Sequence, residues 1–426
     1  MVKDAERPAV EQGDGAAWPK ETAAPLGRPR EDGRATRSTM LELFLVSLRL
    51  GLTSFGGPVA HLAYFREEYV VRRRWLDDSA YADLVALCQF LPGPASSQVG
   101  MAIGMMRRGF WGGVASWLGF TLPSAAALTL FAALLRDVSL TGAGWLHGLL
   151  VAAVAVVAHA IWGMSRSLTP DRLRASIAIA AAIAVLAVPA AVTQVGVIAL
   201  GGLLGHWLLK PPVRGPSGGV SFAPVPRAGA VPAWVLFFGL LFGLPLLQRA
   251  YPFLALAVMD NFYRAGSLVF GGGHVVLPLL QTGVVGPGWV TAGQFLAGYG
   301  AAQAVPGPLF TFAAYLGTVI GGWPMGLLAT VAIFLPSFLL VAGTLPYWDA
   351  IRRRGTFQAA LQGVNAAVVG LLLAAFYEPV WTKAIGSPLD FGLALAAFGL
   401  LAHWRAPAWL VVAAAALGGE ALAHLA

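Results

Sequence analysis

Gln89-Phe90-Leu91-Pro92-Gly93-Pro94, and again Gln303-Ala304-Val305-Pro306-Gly307-Pro308, decide how this chain can fold. Each copy sits inside a long apolar run, 79–106 in the first case and 292–320 in the second. Two prolines in three residues remove two backbone donors and clash with the preceding turn, so a helix entering either motif must break there. Unpaired N–H and C=O groups are not tolerated against acyl chains, so the break must face protein or a wet cavity. Pro94 suits the start of a new half-helix. The N–H groups of Ala95, Ser96 and Ser97 would then point free at the positive end of its dipole, where an anion is stabilised. Ser96, Ser97 and Gln98 add neutral donors, and the second copy continues Pro308, Leu309, Phe310, Thr311. The bland alternative is a pair of proline kinks that serve packing alone.

Lipid is the expected solvent. Of 426 residues, 58% are hydrophobic and 11% charged, against about a quarter charged in soluble domains, and the mean hydropathy is +0.71. So little charge cannot wet a whole surface. The net charge of +8 is scattered between apolar runs, a pattern that sets membrane orientation and gives no reason to expect nucleic acid as a partner. The lone cysteine, Cys88, excludes an internal disulfide and reads as a small core residue.

The apolar runs predict an all-α polytopic membrane protein with about thirteen transmembrane spans (twelve to fourteen). They lie near 41–57, 79–106, 112–135, 146–164, 173–189, 191–209, 233–249, 252–273, 292–320, 324–345, 358–378, 388–403 and 407–424. Residues 1–38 read as a disordered cytoplasmic tail. Residues 39–209 form an N-terminal transport repeat, 210–232 a Pro/Gly-rich linker, and 233–426 a C-terminal repeat with one extra span.

The halves match in order. Arg49 pairs with Arg264, Phe55-Gly56-Gly57-Pro58 with Phe270-Gly271-Gly272-Gly273, and Trp75 with Trp289. The two Pro-Gly-Pro motifs follow, then Leu122-Pro123-Ser124 with Leu335-Pro336-Ser337, and Gly148 with Gly363. The offset stays between 213 and 215 throughout. The extra span makes the number of crossings between matching spans odd, so the repeats should be inverted, as in many secondary transporters. Basic residues such as Arg107, Arg108, Arg166, Arg172 and Arg405 favour a cytoplasmic N-terminus and an external C-terminus; Arg72-Arg73-Arg74 would fall outside and count against it.

Arg49 and Arg264 sit deep in their spans, where an unpaired arginine costs from about 3 to more than 10 kcal/mol. A guanidinium fork suits an oxyanion. For Arg264 there is a rival partner, Asp260, four residues earlier on the same face. The paired glycines Gly56, Gly57, Gly271 and Gly272 permit unwound backbone or close helix approach. His61, His274 and Asp260 are candidates for a coupling proton, and each reads equally well as a hydrogen-bonded packing residue. Taken together, the midplane site would be lined by Arg49, Arg264, Gln89, Gln303, Ser96, Ser97 and the residues Pro92, Gly93, Pro94, Pro306, Gly307 and Pro308. No Walker loop or metal-spaced cluster of Cys and His occurs, so neither a cofactor nor a metal is expected.

These motifs, from Arg49 to Ser124 and from Arg264 to Ser337, resemble the chromate ion transporter family (CHR) in its long, two-domain form. The resemblance covers nearly all of 41–400. It implies secondary transport of chromate out of the cytoplasm across the inner membrane, driven by the proton-motive force, with chromate resistance as the outcome. It also implies sulfate, another tetrahedral dianion, as a second substrate. Membrane lipid is the expected surrounding partner, and a second copy in a homodimer is a further candidate. The rivals are a passive oxyanion channel, which would not saturate, and a membrane-embedded enzyme, for which Asp83 and Asp260 are too scattered.

Overall fold

A computed structural model describes residues 39–54, 57–135, 144–188, 190–210, 229–269, 276–347 and 355–425. The expected tail, nearly all of the linker, Gly56, and the segment holding Gly271, Gly272 and His274 lie outside the described residues. Among the described residues there are helices and turns and no strand. Five helical stretches are long and apolar enough to cross a membrane: Ala95–Leu135, Gly144–Leu168, Ala230–Ala250, Trp323–Tyr347 and Gln358–Ala384. Shorter apolar helices accompany them.

The first half runs α1 (Met40–Thr53), α2 (Gly57–Arg66), α3 (Asp78–Phe90), α4 (Ala95–Leu135), α5 (Gly144–Leu168), α6 (Arg172–Ala187) and α7 (Ala191–Leu208). After α8 (Ala230–Ala250) the order repeats as α9 (Leu254–Leu268), α10 (Val276–Val284), α11 (Ala292–Ala304), α12 (Phe312–Gly321), α13 (Trp323–Thr344), α14 (Gly355–Ala375), α15 (Pro388–Ala402) and α16 (Ala408–Leu425). Helix α4 is two arms. Gly109, at φ 64°, breaks it just past Arg108. Its counterpart Gly322, at φ 81°, separates α12 from α13. A left-handed residue is cheap only for glycine, and both turns use one.

Two of the thirteen expected spans, 79–106 and 292–320, are interrupted at their Pro-Gly-Pro motifs, and the helices α1 and α9 of two others are each followed by a helix that turns back. The guanidinium of Arg107, at the end of the first arm of α4, lies 5.0 Å from the ring of Trp75, just before α3. The segment 78–107 therefore enters and returns to the same place, with Pro92-Gly93-Pro94 as its tip. Helix α1 and α2 form a second hairpin on the same side: Arg73, past the π-helical turn Glu67–Arg72 that continues α2, donates to Glu42 at 2.6 Å, near the start of α1. In the other half Tyr315 Oη of α12 donates to the Gln294 carbonyl at the start of α11, 2.9 Å away, so 292–321 also folds back. Asn261 of α9 lies against Gly283 of α10 in the same manner. The helices of these arms have 9–15 residues, about 14–22 Å of helix, less than the roughly 30 Å of a bilayer's hydrocarbon core. Hydropathy cannot distinguish such a hairpin from one long span, because both are apolar from end to end.

The polar roots of the first two hairpins are clamped together. Glu68 accepts from Arg72 at 2.9 Å and from Arg73 at 2.7 Å, and Trp75 lies between Arg73 and Arg107 and stacks on Tyr69. Residues 66–78 form this bent, ion-paired corner.

The halves are also interlocked. α5 packs on α15 and α16 of the other half, and α14 packs on α6 and α7. The matched glycines explain the fit. A Cβ on Gly148 would stand 2.1 Å from the Ala415 carbonyl oxygen, and one on Gly363 would stand 2.0 Å from that of Gly201. Backbone approaches this close admit only glycine, the small-residue packing common between helices in lipid.

Candidate functional site

The tips of the four hairpins meet, each on a tip of the other half. Gly93 N, in the first Pro-Gly-Pro, donates to the Val269 carbonyl at 2.6 Å, where α9 ends. Gly307 N, in the second, donates to the Ser54 carbonyl at 3.0 Å, where α1 ends. Both glycines have positive φ, +119° and +101°. The repeated serines close the arrangement. Ser337 Oγ stands where a Cβ on Gly93 would go, at 2.5 Å, and Ser124 Oγ does the same at Gly307, at 2.8 Å. Each Pro-Gly-Pro is thus pressed against the Leu-Pro-Ser serine of the other half, in two matching sets of contacts. The break is a docking element between halves as well as an interruption of a helix.

The first half-helix begins as the proline spacing predicts. The first helical bond of α4 runs from Gln98 N to the Pro94 carbonyl, 3.0 Å. Among the described residues the N–H groups of Ala95, Ser96 and Ser97 have no acceptor. Ser96 and Ser97 are each 2% exposed and Gln98 is fully buried. Ser97 Oγ, Gln98 Oε1, Ser54 Oγ and Thr121 Oγ1 are buried without hydrogen-bond partners, as is Gln303 Nε2 near the second tip. Buried polar atoms are almost always paired, and leaving one unpaired costs about 1–3 kcal/mol. Two of these atoms, on Ser97 and Gln98, lie in the first turn of α4, at the positive end of its dipole.

Other polar groups are already committed. Gln98 Nε2 donates to the Pro92 carbonyl at 2.6 Å and lies 3.4 Å from Ser337 Oγ, tying the break shut. His61 is 2% exposed. Its Nδ1 lies 3.3 Å from Ser96 Oγ, and Phe120 packs edge-on at 5.5 Å. His61 therefore orients Ser96 and joins the first two tips.

The second half-helix differs. It opens with a 3-10 turn, Leu309–Thr311, in which both the backbone N–H and the hydroxyl of Thr311 bond to the Pro308 carbonyl. Positions matching Ser96 and Gln98 are Phe310 and Phe312, both buried. The polar side chains at this helix start belong to the first repeat, and buried aromatic rings stand at the matching positions of the second.

The two arginines part company. Arg264 is ion-paired to Asp260, itself 7% exposed. The matching position for Asp260 in the first half is Leu45, and Arg49 has no ion-pair partner among the described residues. Arg49 lies on the exposed side of α1 with Leu41, Leu45 and Leu52, away from Ser47, Leu50 and Gly51, which pack inward. Gln89 is exposed as well. The structure brings together Pro92, Gly93, Pro94, Ser96, Ser97 and His61 with Gly307, and leaves Arg49 and Gln89 outside that group. Sequence reading assigned no chemistry to Ser54, Thr121, Ser124 or Ser337. The repeated Leu-Pro-Ser was the available signal for the last two.

The family profile described as "Chromate transporter" matches residues 41–206 and 256–419, one match for each half. A chromate transport protein of Pseudomonas aeruginosa is 33% identical over 389 residues, covering 88% of this chain and 90% of that protein. A chromate transport protein of Cupriavidus metallidurans is 28% identical, covering 89% and 92%. The uncharacterized transporter YwrA of Bacillus subtilis is 31% identical over 171 residues, which is 95% of its length and 38% of this chain, so it is about one repeat long. No solved structure matches. With both halves matched in full by one profile and the motifs meeting at a shared centre, this chain belongs to the chromate transporter family.

Proposed function

We propose that the chain exports chromate, and sulfate as a second tetrahedral dianion, by alternating access around the four hairpin tips. The observation that carries this reading is the reciprocal pair of bonds, Gly93 N to Val269 O and Gly307 N to Ser54 O. They join the two halves beside a free helix N-terminus and unpartnered buried hydroxyls. The oxyanion accepts from the N–H groups of Ala95, Ser96 and Ser97 and from the Ser97 hydroxyl, with Thr121 and Ser54 as further donors.

The hairpins also bear on topology. With α1–α2 and α3 plus the first arm of α4 entering and leaving on one side, the chain crosses the membrane nine times: the second arm of α4, α5 to α8, and α13 to α16. Five of these crossings, the second arm of α4 and α5 to α8, separate the matching hairpins, and five is odd, so the halves stay inverted. Arg72, Arg73 and Arg74 now fall on the same side as Arg107, Arg166, Arg172 and Arg405, and the exception to the positive-inside pattern disappears. That side is the cytoplasm, and the C-terminus is external. Arg49, unpaired on an exposed face, then lines a wet cytoplasmic approach where it gathers anions; facing lipid would cost it several kcal/mol. Outward movement of a dianion is favoured by the membrane potential, by about 4.6 kcal/mol per 100 mV.

The test is uptake of labelled chromate into inverted vesicles. Wild type should show saturable uptake that sulfate competes with, and Arg49→Ala should raise the half-saturating concentration by about fivefold. Flux that never saturates would support a channel. Equal uptake by wild type and Arg49→Ala would remove Arg49 from the pathway.

A further inference from the structure

Away from the tips, a cavity of about 510 Å³ opens between α5, α11, α15 and α16. Its polar lining is His147, Thr291, Gln294, Ser387 and Asp390. His147 Nε2 lies 2.7 Å from Asp390 Oδ1, bridging α5 of the first half to α15 of the second. The other carboxylate oxygen, Oδ2, accepts from the backbone N–H groups of Gly386 at 3.1 Å and Ser387 at 2.9 Å. Asp390 is thus held as an anion at the amino end of α15, while the His147 side chain is 40% exposed. At the repeat offset of 215 the matching residues are Gln362 and Ala175, so only one face of the molecule has this pair.

The far wall of the cavity is the first turn of α11, whose amino end carries a Thr291–Gln294 capping box. Helix α11 leads directly into the second Pro-Gly-Pro. A neutral imidazole leaves the His147–Asp390 pair with a charge of −1 facing the positive amino ends of both α11 and α15, an attraction of charge for helix dipole. Protonating His147 cancels that charge and removes this attraction across the cavity, leaving α11 held by its packing on α5 and α16 alone. Other titratable groups on the elements packed against α5 are Glu420 and His424 of α16, and Tyr377, Glu378 and Lys383 between α14 and α15. Glu420 already accepts from Trp145 N at 2.8 Å and faces His424 at 3.3 Å. α11 contributes only Tyr299, and α14 none.

We propose that His147, seated on Asp390, is a proton-binding site on the external face that releases the α11–α12 hairpin when protonated. The proton comes from the aqueous phase at the cavity mouth and returns there when the hairpin closes. The consequence for flux rests on the transport reading above; the motion of α11 does not.

Two measurements on the full-length protein test it. In proteoliposomes with the cavity side titrated from pH 8 to 6, wild-type chromate flux should change by at least about threefold, and His147→Gln should be flat. Amide exchange protection over Ala292–Ala297 should fall in acid for wild type and stay constant in His147→Gln, with Asp390→Asn lowering protection at both pH values. A wild-type pH response retained by His147→Gln in either assay overturns the proposal. So does an α11 whose protection ignores pH in wild type. If wild type moves no chromate while α11 protection responds as expected, the transport reading fails and the proton site stands.

Discussion

Gly93→Ala should abolish chromate transport and leave little folded protein. Gly93 has φ +119°, where an L side chain is strained, at about 1–3 kcal/mol. The new Cβ would stand 2.5 Å from Ser337 Oγ and 2.7 Å from Gln98 Nε2, so both must shift, adding about 1–3 kcal/mol of overpacking. The displaced Gln98 would lose its bond to the Pro92 carbonyl, and Gly93 N its bond to Val269, which joins the two halves. The sum is a large share of a stability of about 5–15 kcal/mol. Thermal unfolding in detergent checks it, together with growth on chromate. Gly307→Ala should be milder, because its nearest contacts stand at 2.8 Å and 3.3 Å. Adding Ser337→Ala to Gly93→Ala should recover part of the loss by removing the nearest clash. A Gly93→Ala protein with wild-type melting and transport would show that the tip does not need its left-handed turn.

The opposite signature is expected at Ser97. Its hydroxyl is buried and has no partner, so Ser97→Ala removes an unsatisfied group and should leave the melting temperature unchanged or slightly raised. If that hydroxyl donates to the oxyanion, the same change forfeits a hydrogen bond to a charged group, about 1.5–3 kcal/mol. Chromate binding should weaken by roughly 10- to 150-fold. Isothermal titration and unfolding on the same preparation separate the two effects. A stability loss with unchanged binding would assign Ser97 to packing. Ser96→Ala should behave differently, because its hydroxyl lies within reach of His61.

The duplication and the broken helices were legible in the sequence, because Pro-Gly-Pro dictates a break wherever it falls and recurs at a fixed offset. The direction of the chain after each break was not. It depends on the positive φ of Gly93 and Gly307 and on which carbonyl their N–H groups find, and both partners lie more than 170 residues away in sequence, at Val269 and Ser54. The pairing of Arg264 with Asp260 was legible as a four-residue spacing on one helix. The exposed placement of Arg49 was not, because a helix carries no mark of which neighbour its faces will meet. Ser54, Thr121, Ser124 and Ser337 entered the site for the same reason: short hydroxyl residues in apolar runs acquire meaning only when another half of the chain is laid against them.

The most direct measurement is the position of chromium itself, by anomalous diffraction from crystals of the wild-type protein grown with chromate. The chromium should lie at the amino end of α4, with chromate oxygens about 2.7–3.2 Å from the N–H groups of Ala95, Ser96 and Ser97. A chromium peak on the outer face of α1 near Arg49, or anywhere with those three N–H groups facing protein carbonyls, would contradict the account.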